Sequence, residues 1–119
     1  MTRILVVDDS ETVLLLLQRR LEMSGYEVST ATDGQEVLDA IEGGGKEPDL
    51  ILLDAMMPNV SGIDALQRLR AGGCEIPILM ISAHLDAQEP ERMQSLGANG
   101  TVPKPFDWDL LMGRIKELV

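Results

Sequence analysis

Leu50-Ile51-Leu52-Leu53-Asp54 is four branched aliphatic residues in a row, ended at once by an acid. A run this short and this apolar offers no polar face to water. It suits a strand covered on both sides better than a surface helix. Two other runs share the pattern: Ile4–Val7, followed by Asp8-Asp9, and Ile78–Ile81, followed by Ser82. Glu27–Ala31 and Gly100–Val102 are weaker and read as edge strands.

Between these runs lie amphipathic stretches with their own start and stop signals. The first begins near Asp9–Ser10, shows Val13, Leu14, Leu17 and Leu21 on one side, and stops at Gly25. The second opens with Asp33 and Glu36 in capping-box spacing, carries Val37, Leu38 and Ile41, and ends at Gly43-Gly44-Gly45. The third runs from about Ser61, with Ile63, Leu66 and Leu69, to Gly72-Gly73. The fourth begins at Glu89–Pro90, since proline suits a first helical turn, and ends at Gly97. The fifth runs from about Asp107 to the end, with Leu111, Ile115 and Leu118 inward. The run Leu14–Leu17 reads as core with one side open to a partner, and Met80 and Met93 as packing. Strand–helix alternation at this spacing predicts right-handed crossovers and a doubly wound α/β fold, a parallel sheet with helices on both faces.

Composition bounds the function. A length of 119 residues makes one domain, 1–119, long enough for a real core. Val119 falls where the last helix should end, so the domain stands alone or belongs to a longer protein. No apolar run approaches the roughly 20 residues that span a bilayer, and Ile4–Val7 is too short for a signal peptide. A cytoplasmic location is expected. Cys74 is the only cysteine, which excludes an internal disulfide or a cysteine-based metal site. Ten Lys and Arg against 20 Asp and Glu give a net charge of −10. That balance opposes binding to nucleic acid phosphates and to anionic lipid.

In a doubly wound sheet, ligands bind beyond the carboxyl ends of the strands. Here those ends carry Asp8, Asp9, Asp54, Ser82 and Lys104. Each has a dull reading when taken singly. Asp9 or Ser10 caps a helix, Asp54 makes a turn, Ser82 is a loop hydroxyl and Lys104 a surface charge. Their convergence on one rim is harder to explain that way. Two carboxylates about 4 Å apart repel by about 4 kcal/mol at an effective dielectric near 20. A divalent cation together with Lys104 would balance three acids. Oxygen donors without His or Cys favour Mg²⁺ or Mn²⁺, the usual setting for phosphoryl chemistry.

Taken in order, these strings closely resemble the receiver domain of two-component response regulators. Asp8-Asp9 follows the first strand, and the segment Asp54-Ala55-Met56-Met57-Pro58-Asn59-Val60-Ser61-Gly62 is similar to the family's phosphoacceptor signature. Ile78–Ala83 matches the fourth strand with its hydroxyl, and Gly97-Ala98 followed by Lys104-Pro105-Phe106 matches the fifth-strand region. The resemblance covers essentially the whole chain. It implies a flavodoxin-like (βα)5 fold with strand order 2-1-3-4-5, and it implies a regulatory phosphoacceptor rather than a conventional enzyme. Asp54 would accept a phosphoryl group from the phosphohistidine of a histidine kinase or histidine phosphotransfer protein. Asp9, Asp54 and the Met56 backbone carbonyl would ligate Mg²⁺, with Asp8 acting directly or through water. Ser82, the Ala83 N–H and Lys104 would hold the phosphoryl oxygens, and a cis Lys104–Pro105 bond would aim the ammonium. The fourth helix, fifth strand and fifth helix would form the output face toward an unidentified effector. The resemblance also allows dimerisation through that face on phosphorylation.

One position departs from the family pattern. Thr101 stands where many receivers carry an aromatic residue, so the usual route to the output face is in question. Met56 and His84, two residues after Asp54 and Ser82, are candidates for tuning the lifetime of the acyl phosphate. Competing readings fail on particular residues. A haloacid-dehalogenase-like phosphatase needs a second acid two residues after its nucleophile, where this chain has Met56 after Asp54 and Ser10 after Asp8. An FMN carrier needs a hydroxyl-rich loop, and a dinucleotide binder a glycine-rich one, where Asp8-Asp9 stands. A receiver-like interaction domain indifferent to phosphate would have lost Asp54, the acid pair or Lys104, and all are present.

Overall fold

The computed structural model describes residues 1–43, 47–57, 60–83 and 89–119. Five strands alternate with five helices: β1 Arg3–Val7, α1 Glu11–Met23, β2 Glu27–Ala31, α2 Gly34–Glu42, β3 Leu50–Asp54, α3 Gly62–Ala71, β4 Ile78–Ser82, α4 Glu89–Ser95, β5 Gly100–Pro103 and α5 Trp108–Leu118. The strands form one parallel sheet in the order β2-β1-β3-β4-β5. The two weak runs occupy the edges and the three aliphatic runs the centre, as the sequence predicts. No helix among the described residues is long and apolar enough to cross a membrane.

Strand periodicity divides the core in two. Val7, Leu53 and Met80 pack with Val37, Leu66 and Met93 under α2, α3 and α4. Val6, Leu52 and Ile81 pack with Leu17, Leu111 and Ile115 under α1 and α5. Neighbouring residues point to opposite faces of a strand, so a central strand needs aliphatic side chains at every position. β3 and β4 each run one residue past their aliphatic stretch and take in Asp54 and Ser82. The backbone ladder supplies the reason. Asp54 lies in register with Ile81, and the Ala55 N–H donates to the Ile81 carbonyl at 2.9 Å.

The helix starts follow the capping residues. Ser10, Asp33, Ser61 and Asp107 each accept a backbone N–H three residues on. At α2 the box differs in detail from its usual form. Glu36 donates its N–H to Asp33 Oδ1 at 2.8 Å, while its carboxylate accepts from the Thr32 N–H and hydroxyl, at 3.0 and 2.8 Å. The run Leu14–Leu17 is only half core. Leu14 and Leu17 are buried, but Leu15 and Leu16 are 51% and 48% exposed. A period of 3.6 residues places these two away from the sheet.

At the amino ends of the strands, Arg70 ties α3 to both following crossovers. Its guanidinium donates to the carbonyls of Gly97, Cys74 and Ile76 and to Asn99 Oδ1, all within 3.0 Å. Asn99 Oδ1 also accepts from the Ile78 N–H at 2.9 Å. Arg70→Ala strands these acceptors and is expected to lower the unfolding free energy by about 2 kcal/mol in a urea titration. A loss below about 0.5 kcal/mol would show that water replaces the guanidinium without cost.

Candidate functional site

The strand order dictates what meets at the carboxyl rim. β1, β3, β4 and β5 are consecutive across the sheet, so the residues at their ends are brought side by side. Asp8 is fully buried, and Asp54 and Ser82 are 5% and 4% exposed. Asp9 is exposed and Lys104 half-buried. Oxygens of Asp8, Asp9 and Asp54 lie within 4.8 Å of one another. The Lys104 ammonium donates to Asp8 Oδ2 at 2.6 Å and to Asp54 Oδ2 at 3.2 Å.

Backbone contacts hold these side chains in place. Ser10 N–H donates to Asp8 Oδ1 at 2.9 Å and Met56 N–H to Asp54 Oδ1 at 3.1 Å. Lys104 N–H donates to the Ser82 carbonyl at 2.9 Å, which locks the ends of β4 and β5 together. The Lys104–Pro105 peptide is cis. The start of α3 sits flush against β3, where Gly62 N–H donates to the Ala55 carbonyl at 3.1 Å. A side chain at Gly62 would collide with the Asp54 carbonyl oxygen. Only glycine allows the helix this close to the acid.

Other residues singled out in the sequence fall into three groups. Ala83 directly follows β4 and is exposed, and Met56 is 68% exposed beside Asp54. Thr101 is half-buried in β5 opposite Met80, one strand removed from Asp54. His84 lies outside the described residues. Two features escape a sequence reading. The closer partner of Lys104 is Asp8 rather than Asp54, and the Asp8 N–H reaches across to the Ala31 carbonyl at 3.2 Å. No residue type advertises a main-chain acceptor.

Electrostatics reflects this crowding. Burial raises the Asp54 pKa, aided by the nearby Asp8 charge and opposed by the Met56 N–H and Lys104. Burial alone would lower the Lys104 ammonium, but the hydrogen bond to Asp8 and the Asp54 charge outweigh it, and its pKa is raised. The donors also suit a hard divalent cation. They are carboxylate oxygens without His or Cys, and a 4.8 Å spread is only slightly wider than the roughly 4 Å across a Mg²⁺ shell.

The sign of the pH dependence follows from the two shifts. The folded state holds the Asp54 proton more tightly than the unfolded chain, so the ionised carboxylate subtracts stability near neutral pH. That penalty fades as pH falls through the raised pKa toward 3.8. Lys104 contributes stability that is complete below 10.5 and lost as pH rises through its raised pKa. Without divalent cations at pH 7, Asp54→Asn should therefore raise the thermal midpoint by about 3 °C, with the gap closing near pH 4. A lower midpoint would mean that attraction to Lys104 outweighs desolvation.

Comparison with known proteins places the chain in a family. The model of the response regulator receiver domain matches residues 4–116. The chain is 39% identical over 117 residues to response regulator MprA of Mycolicibacterium vanbaalenii, covering 98% of this chain and 50% of that protein. It is 41% identical to the alkaline phosphatase synthesis transcriptional regulatory protein PhoP of Bacillus subtilis, covering 98% of this chain and 48% of that protein. The chain thus spans about half the length of the curated relatives it matches. Among solved structures, the Francisella response regulator 1452 receiver domain superposes with a TM-score of 0.93 at 29% identity, over 99% of this chain and 96% of that one. Response regulator TrrA of Thermotoga maritima, solved in complex with Mg²⁺-BeF, superposes at 0.88 with 34% identity over the full length of both. Motifs, topology and relatives agree, and the chain belongs to the response regulator receiver domain family.

Proposed function

We propose that residues 1–119 act as one Mg²⁺-dependent phosphoacceptor unit in which Asp54 takes a phosphoryl group from the phosphohistidine of a histidine kinase or phosphotransfer protein. The observation that carries this reading is the placement of Asp54, held by Met56 N–H on one oxygen and by Lys104 on the other. Two further acids stand within 4.8 Å. A carboxylate so confined has few competing uses.

Asp8, Asp9, Asp54 and the Met56 carbonyl would hold the ion. When bound, Mg²⁺ supplies positive charge that neutralises the acids and the oxygens of the incoming phosphoryl group, and Mn²⁺ is expected to substitute. An Asp54 oxygen attacks phosphorus, the P–N bond breaks, and the electron pair leaves with the imidazole. Lys104 stabilises the charge on the equatorial oxygens in the loose transition state. The Ser82 hydroxyl and the Ala83 N–H hold the transferred group afterwards. Met56, exposed beside Asp54, and His84 are the candidates for tuning access of water to the acyl phosphate. The likeness to TrrA, whose structure holds Mg²⁺-BeF, supports the same occupancy here.

The new dianion would draw Lys104 away from Asp8, moving β5 and the start of α5. The conformational shift cannot exceed the difference in contacts that phosphate makes with the two states. Thr101 brings no ring to this motion, so the output face of α4, β5 and α5 would respond by another route. The greater length of the relatives points to an effector beyond this domain, in the same chain or a partner, working in the cytoplasm where the donor kinase acts.

Labelling by acetyl phosphate or beryllofluoride should vanish in Asp54→Asn and in native protein treated with EDTA. Stoichiometric labelling of the Asp54→Asn protein at another residue would break the assignment. Lys104→Ala should retain Mg²⁺ binding but lose the NMR shifts that phosphorylation causes in α4, β5 and α5. Unaltered shifts in that variant would remove Lys104 from the switch.

A further inference from the structure

The segment from Lys104 to Trp108 joins the acidic pocket to α5. At one end Lys104 donates to Asp8 and Asp54. At the other Asp107 caps α5, and Trp108 is the first residue of that helix. Between its ends the segment stands off from α1. A cavity of about 340 Å³ separates the two, lined by Val13 and Leu16 on the helix and by Lys104, Pro105, Phe106 and Trp108 on the segment. The Phe106 and Trp108 rings lie 5.6 Å apart between centroids, tilted by 38°. Arg20 lies over the outer end of this pair, its Cζ 4.8 Å from the Trp108 ring centroid. Both distances suit attraction between the groups, edge or face of one ring to the other and cation to ring face. Val13, Leu16 and Arg20 fall on one stripe of α1, at i, i+3 and i+7. Among the described residues no carboxylate pairs with Arg20, so the indole is the partner its charge has.

We propose that Arg20, Trp108 and Phe106 form a latch that holds the segment after β5 in its unphosphorylated position, and that a phosphoryl group on Asp54 loosens the latch by drawing Lys104 toward itself. The inference rests on reading Asp54 as the phosphoacceptor and Lys104 as the ammonium that follows the phosphate. Lys104 and Trp108 are four residues apart, so a displacement of the first is absorbed in a short stretch of backbone or carried to the second. A close-packed core would resist the carried motion. Here the cavity beside α1 gives the Phe106 and Trp108 side chains room to take it up. A contact made in one state and weakened in the other shifts the balance by the difference between them. The stack on Arg20 therefore opposes the phosphorylated form, and its release carries the change to α1 and the start of α5 without passing through Thr101.

The test is a titration with beryllofluoride in the presence of Mg²⁺, read in two ways. Amide NMR of β1 and β3 gives the affinity, and tryptophan emission reports Trp108 alone, the one tryptophan of the chain. In the native protein, saturation should shift the emission to the red as the indole leaves its cation. Arg20 is exposed, so replacing it leaves the core intact. Arg20→Ala should bind beryllofluoride about three-fold more tightly, the weight of one exposed cation–ring contact. Its emission should shift by less than the native protein's, because the ring is already released. Arg20→Lys keeps a cation for the ring and should fall closer to native affinity than Arg20→Ala. Binding by the native protein without a change in emission overturns the latch alone. So does unchanged or weaker affinity in Arg20→Ala, or an Arg20→Lys protein that matches it. Failure of the native protein to bind beryllofluoride overturns the phosphoacceptor reading and the latch with it.

Discussion

The structure turns on one ammonium group between two buried carboxylates. Lys104 reaches Asp8 and Asp54 from the end of β5, an edge strand separated from β1 by two others. Without it, charges of one sign would crowd a rim where Asp8 and Asp54 are buried. Each pair at about 4 Å would cost about 4 kcal/mol at an effective dielectric near 20. Burial raises the Asp54 pKa, the Asp8 charge adds to it, and Lys104 only partly opposes them. A site left short of positive charge is well prepared for a divalent cation, and an acid with its charge unsettled is well prepared for chemistry.

Much of this was legible in the sequence for a simple reason. A central strand of a covered parallel sheet must be aliphatic throughout, so Ile4–Val7, Leu50–Leu53 and Ile78–Ile81 declare themselves, and the acids and hydroxyl that end them stand out. Helix starts were equally plain where Ser10, Asp33, Ser61 and Asp107 cap them. Within the run Leu14–Leu17 the helical period buries Leu14 and Leu17 and leaves Leu15 and Leu16 on the open side, in keeping with the sequence reading. The fine structure of the pocket could not be read. The preference of Lys104 for Asp8 and the contact of Asp8 with Ala31 depend on where backbone atoms fall across non-adjacent segments.

The same division separates chemistry from signalling. The residues proposed to hold a cation and accept a phosphoryl group stand at or just beyond the carboxyl ends of β1, β3, β4 and β5. The route outward is less standard. Thr101 contributes no aromatic lever, and the base of α4 and β5 is tied down by Arg70 through Gly97 and Asn99. Motion is therefore expected at the carboxyl rim, where Lys104 and Ser82 meet, rather than at the opposite end.

Reductive trapping decides whether Asp54 carries the phosphoryl group. The native chain is incubated with phosphoramidate and Mg²⁺, reduced with borohydride, digested and analysed by mass spectrometry. Borohydride converts an aspartyl phosphate to homoserine and leaves free aspartate untouched. A single phosphoryl group per chain is expected before reduction, and homoserine at position 54 after it. Homoserine at position 8 or 9, or no phosphoryl uptake at all, would contradict it.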